Sequence, residues 1–244
     1  MINSHFPGRM AVAFASLMAA TTALPQETGK WTVDVSLYGL AASMSGEMTV
    51  KGIPADLDVG FSDILENLEM GGMGSLRIGY DRWALTTDVI YMGLGGSHNS
   101  VSADVDQWMI EPTLSYRISK GFEVLGGVRY NNLRAEIRGT GPLGNFRSSS
   151  GTQDWWDPIV GAHLSRPLGK KFSLNTRGDV GGFGVGSDFT WQAFPYVSWH
   201  ITHRSSLQVG YRWVFNDYET GSGTSEFKYD ILTEGPQIGF TLGF

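Results

Sequence analysis

Eleven charged side chains fall on alternating positions of otherwise apolar or small-residue segments: Asp34, Arg77, Asp88, Glu111, Arg117, Glu123, Arg129, Asp157, Arg177, Asp179 and Arg212. Five are bases and six are acids. Charges carried into a poorly hydrated interior need partners. A near-balanced set can supply them as a paired network, or it can line a path for ions or small solutes. In a narrow enclosure there is little room for a wide aqueous pore, so pairing is the expected state.

Other constellations bear on catalysis. His163-Leu164-Ser165 has the His-x-Ser spacing of outer-membrane lipid A deacylases, in which a base activates a serine. The resemblance covers two residues and lies beside the turn at Pro167, so it supports an envelope lipid hydrolase only weakly. Omptin-like proteases need paired acids and an acid–His dyad near the extracellular rim. The sequence suggests none: Asp188 and Asp217 stand apart, and His98 is an isolated loop residue. No phosphate-binding glycine loop or metal-ligand cluster is evident, so no cofactor and no metal are expected. Gly181-Gly182-Phe183-Gly184 reads as curvature within a strand.

The elements that must position these charges are strands. Trp191, Ala193, Pro195, Val197, Trp199 and Ile201 alternate with Gln192, Phe194, Tyr196, Ser198, His200 and Thr202. The next segment repeats the pattern, with Leu207, Val209, Tyr211, Trp213 and Phe215 on one face and Gln208, Gly210, Arg212 and Asn216 on the other. This period of two predicts apolar faces toward lipid and polar faces toward a packed lumen. Ten such segments are expected, at about 30–45, 69–80, 83–96, 104–118, 122–138, 153–166, 172–184, 189–202, 206–218 and 228–244. Tight turns at 81–82, 119–121, 167–171 and 203–205 alternate with loops at 46–68, 97–103, 139–152, 185–188 and 219–227. Short turns on one side and mostly longer loops on the other predict an all-β fold: a closed up-and-down antiparallel transmembrane β-barrel. Both of its ends lie on the short-turn, periplasmic side. Closure is required because lipid offers no partner to an open sheet edge. Within the first loop, residues 61–68 read as a short helix with Ser62 as N-cap and Ile64, Leu65 and Leu68 on one apolar face.

Composition agrees. Glycine is 33 of 244 residues, nearly twice its usual share, while aromatics reach 12% and charged residues only 17%. That balance excludes a disordered chain. A net charge of −6 gives no basis for a nucleic-acid partner. There is no cysteine, hence no disulfide and no lipoprotein anchor. Residues 1–24 read as a signal peptide, with Arg9 ahead of a short apolar run and small residues near Ala20 to Ala23. Residues 25–244 then form the barrel domain.

The final segment alternates Ile238, Phe240, Leu242 and Phe244 with Gln237, Gly239, Thr241 and Gly243. It resembles the assembly signal of outer-membrane barrels, with Gln237, Gly239, Leu242 and Phe244 in the signal positions. Together with the Asp230…Gly235-Pro236…Gly239…Phe244 ending and the Trp83…Asp88…Tyr91 segment, it makes the chain similar to small outer-membrane β-barrel proteins of the porin-like superfamily. That resemblance implies Gram-negative origin, location in the cell outer membrane, insertion by the barrel assembly machinery, and contact with membrane lipid and lipopolysaccharide. The expected role is a non-enzymatic structural or surface-interaction barrel whose lumen is filled by the charge network. A narrow porin-like channel is the alternative. The loops could contact an extracellular ligand, but they spell no recognisable ligand code.

Overall fold

The computed structural model describes residues 29–98, 101–140 and 146–244. The expected signal peptide lies outside the described residues. The elements are β1 (Trp31–Leu40), β2 (Ser43–Val50), β3 (Ile53–Val59), α1 (Phe61–Glu66), β4 (Leu68–Tyr80), β5 (Trp83–His98) and β6 (Val101–Ser119). They continue with β7 (Phe122–Thr140), β8 (Phe146–Pro167), β9 (Phe172–Gly182), β10 (Phe189–His200), β11 (Ser205–Thr220) and β12 (Phe227–Gly243). Ten of these strands, β1 and β4 to β12, pair antiparallel with their neighbours, and β1 pairs with β12 to close the barrel.

The burial pattern is inverted relative to a water-soluble fold. Outward positions such as Trp83, Leu85, Trp156, Val160, Ile238 and Phe240 are exposed, while Glu111, Arg129 and Asp157 have no exposed surface. An apolar belt around a charged interior is what a hydrocarbon solvent selects. Aromatic pairs mark its edges. Toward the short turns, Trp31 meets Tyr80 at 4.8 Å between ring centroids, and Trp83 meets Tyr116 at 4.7 Å. Higher on the wall, Tyr91 meets Trp108 at 4.5 Å and Tyr130 meets Trp156 at 4.6 Å. Each pair is a direct cross-strand register pair. Such amphipathic rings favour the two membrane–water interfaces.

The extracellular half departs from the sequence reading in four places. Residues 46–68 are not mainly loop: β2 and β3 form a hairpin, and β2 extends the wall by pairing with the upper half of β12. Residues 97–98, 101–103, 139–140 and 146–152 are strand, because the β5–β6 and β7–β8 ladders run on past the membrane. The helix is capped by Gly60, not Ser62. The Gly60 N–H donates to Asp63 Oδ2 at 3.2 Å, and only Ile64 of the expected apolar face is buried; Leu65 and Leu68 are exposed. Finally, β9 stops at Gly182. Gly182, Phe183 and Gly184 have φ of 86°, 51° and 73°, so this run is a left-handed turn and not strand curvature.

Candidate functional site: the stratified lumen

The inward-facing residues form three levels. The uppermost is apolar. Leu133, Trp155, Tyr218, Phe227, Tyr229 and Ile231 pack into one buried cluster, and Trp155 stacks on Tyr218 at 4.2 Å with 8° between the ring planes. These positions alternate correctly with the lipid-facing ones. Alternation reports which way a residue points, not whether the interior at that height is polar, so an apolar level is not legible from the pattern.

The middle level is ionic, and it brings together most of the predicted charges. Arg129 donates from Nε to Glu111 Oε2 at 2.7 Å, from Nη1 to Thr190 Oγ1 at 2.8 Å and from Nη2 to Asp179 Oδ1 at 2.6 Å. Arg177 also bonds Glu111, and lies 3.3 Å from Asp179. Gln192 Nε2 donates to Asp179 at 3.3 Å, and its carbonyl accepts from Arg212 Nη2 at 2.7 Å. Arg212 reaches Asp88 at 2.9 Å, and Asp88 accepts from the Tyr38 hydroxyl at 2.5 Å. The network therefore runs across the lumen from β6 and β7 through β9, β10 and β11 to β5 and β1. A buried charge is tolerated when its hydrogen-bonding valences are filled, and here three arginines and three carboxylates share one lattice. Tyr38, Thr190 and Gln192 were not among the predicted charges. They lie on the same inward face: Gln192 is already on the lumen-facing side of its segment, and the same alternation places Tyr38 and Thr190 there.

Asp157 behaves differently from the expectation that lumen acids pair with bases. Among the described residues it has no cationic partner. Its carboxylate accepts the Ser187 N–H at 2.6 Å, the Ser187 hydroxyl at 2.9 Å and the Trp155 Nε1–H at 3.1 Å. It thereby ties the β9–β10 turn, which folds back over the wall, to β8. Neutral donors can satisfy an anion as completely as one cation.

The lowest level is open. A cavity of about 770 Å³ faces the short-turn end. On its wall Arg77 Nη2 donates to both carboxylate oxygens of Glu123, at 3.0 and 2.8 Å, and Arg117 lies 3.5 Å from the same carboxylate. Asp34 is the register partner of Arg77 at the mouth. The expectation that the charge network fills the lumen is corrected: the network occupies its middle, and the short-turn end is open. His163 and Ser165 both line the cavity, but His163 Nε2 is 3.2 Å from the Tyr196 hydroxyl.

At the extracellular rim Asp217 does not stand apart. It is the register partner of Asp230, and its carbonyl accepts the Asp188 N–H at 2.8 Å. Lys228 lies 3.8 Å from Asp230. Among the described residues no histidine completes a dyad with these acids, and no group of His, Cys, Asp and Glu could hold a metal.

The assembly-signal positions sit where β12 closes against β1. Gln237 and Gly239 point inward, Leu242 and Phe244 outward, and the Phe244 N–H donates to the Val33 carbonyl at 2.8 Å.

Among solved structures, the chain is similar to the outer membrane protease OmpT from Escherichia coli. The TM-score is 0.52 and the identity 8%, over 92% of this chain and 100% of that one. It also matches the translocator domain of the autotransporter NalP from Neisseria meningitidis, with TM-score 0.47 and 11% identity over 88% of this chain and 89% of that one. The attachment invasion locus protein Ail of Yersinia pestis matches with TM-score 0.42 and 10% identity, over 89% of this chain and all 100% of that chain. No family model matches the sequence, and neither does any curated protein. At such identities the likeness concerns the fold alone. That fold and its apolar belt make the chain an outer-membrane β-barrel, located in the cell outer membrane.

Proposed function

We propose that this outer-membrane barrel works through its extracellular strands, as a structural or surface-interaction protein, and that it neither conducts nor catalyses. One observation carries the reading: Glu111, Arg129, Asp157 and Thr190 have no exposed surface in the middle of the lumen, under an apolar level in which Ile231 is also fully buried. A continuous water path would have to wet these groups. The outer surface supports the same reading, since β6, β7 and β8 run for 19, 19 and 22 residues. Crossing the hydrocarbon takes only about 9–11. Their excess length projects above the belt as paired sheet, a scaffold for contacts outside the cell. In this reading lipid and lipopolysaccharide surround the belt, and the barrel assembly machinery engages β12 during insertion.

The test is single-channel recording in planar bilayers. The expected result is no steady conductance from the wild-type protein. Stable conductance whose ion selectivity changes in Arg212→Ala would overturn the reading in favour of a narrow channel.

A further inference from the structure

The cavity at the periplasmic end plays no part in a role performed outside the cell. Its volume of about 770 Å³ lies within the range of small-molecule sites, and the ionic level closes its inner end. Three features of its lining converge. First, the wall is rich in hydroxyl groups, among them Ser36, Ser75, Thr86, Ser115, Ser198 and Thr241. Second, two buried polar atoms beside it have no hydrogen-bond partner among the described residues: Gln237 Oε1, on a side chain 5% exposed, and Arg177 Nε. An acceptor and a donor left unsatisfied are costly, and the side chains that carry them, Gln237 and Arg177, both line the cavity. Third, Phe194 and Tyr196 stack at 4.6 Å and present aromatic surface to the same space.

The mouth adds a sign. The short turns carry Arg82, Lys120, Lys170, Lys171 and Arg204, against Asp81 as their acid. Lys170 and Arg204 line the cavity itself, together with Arg77 and Arg117, which share Glu123. Walls of one dominant charge around a low-dielectric cleft concentrate counter-ions of the opposite charge.

We propose that this cavity is a periplasm-facing binding site for a small anionic, polyhydroxylated ligand, a phosphorylated or carboxylated sugar. The hydroxyls, Gln237 and the aromatic pair meet the sugar, and Lys170 and Arg204 meet its anionic group at the mouth. The site stands independently of the non-conducting reading, because a blind cavity needs no path through the ionic level.

The experiment is calorimetric titration of the protein, purified from membranes in detergent, with three probes: glucose 6-phosphate, glucose and inorganic phosphate. Glucose 6-phosphate is expected to bind at least about tenfold more tightly than either of the others, a difference of about 1.4 kcal/mol. That binding should weaken on going from about 0.1 to 1 M salt, as the screening length falls from about 10 to 3 Å. Lys170→Ala/Arg204→Ala, two changes in exposed turns, should weaken it by about tenfold while leaving the heat-modifiable fold intact. Gln237→Leu should weaken glucose and glucose 6-phosphate alike. Absence of saturable binding, equal binding of inorganic phosphate, or binding indifferent to salt and to both variants would each overturn the proposal.

Discussion

Arg129 and Asp179 meet at 2.6 Å in the centre of the barrel, and neither side chain has any exposed surface. Arg77 and Glu123 meet at 2.8 Å in the open cavity, with the arginine 29% exposed. The two pairs look alike in a contact diagram and differ in what water can replace. Arg129→Met is expected to lower unfolding free energy by about 3–5 kcal/mol, because it strands buried carboxylates. Arg77→Met should cost at most about 1 kcal/mol. Urea titration of tryptophan fluorescence in lipid vesicles measures both, and the reverse order would contradict the assigned burial.

Asp157 offers a second contrast, since its partners are neutral donors, Ser187 in the β9–β10 turn and Trp155 on β8. Asp157→Ala should destabilise by roughly 1–3 kcal/mol, as the Ser187 N–H and the Trp155 indole lose their acceptor. Amide exchange at Ser187 should accelerate locally while the β6–β7 ladder stays protected. Uniform acceleration along both would mean that the carboxylate supports the whole barrel and not this turn.

Trp155→Ala removes half of the ring stack in the apolar level and should cost about 3–5 kcal/mol. It should not open the lumen, because the Arg129 network still closes the level beneath. Bilayer recordings of this variant are expected to stay silent. A steady conductance would show that the apolar level alone had been the barrier.

Phe244 tests assembly. Deleting it, or replacing it with Asp, should reduce the heat-modifiable protein recovered from membranes far more than Phe215→Asp. Both side chains face outward, so a purely lipid-solvation role predicts a similar loss from each. Equal recovery would remove Phe244 from the assembly signal.

The barrel itself was legible because its solvent imposes a strict rule: outward residues must be apolar, and strands must alternate. Segments such as residues 206–218 and the short turns at 81–82 and 119–121 are found where the pattern puts them. The pattern fails above the membrane, where that rule lapses. Gly-, Ser- and Thr-rich residues near 46–50 and 146–152 look like loop, yet they pair because β12 and β7 continue upward and offer free edges. Gly182 ends β9 for a reason that no one-dimensional pattern carries: a Cβ there would meet the Ser187 carbonyl at 2.6 Å, in a turn fastened by Asp157. Most of the charged lumen residues were readable as a set. Which of them pair was not, since Arg129, Glu111 and Asp179 come from three different strands and meet only after closure.

The break between β1 and β2 divides the attachment of the first barrel strand. Seven residues of β1 pair with β12 and seven with β4, whereas β7 shares nineteen pairs with β8. In mechanical terms β1 is the least anchored of the ten barrel strands. Drawn from the periplasmic side by a cantilever tip, the chain would release β1 as a separate first step. It would halt when the load reached the hairpin of β2 and β3, which grips the other half of β12.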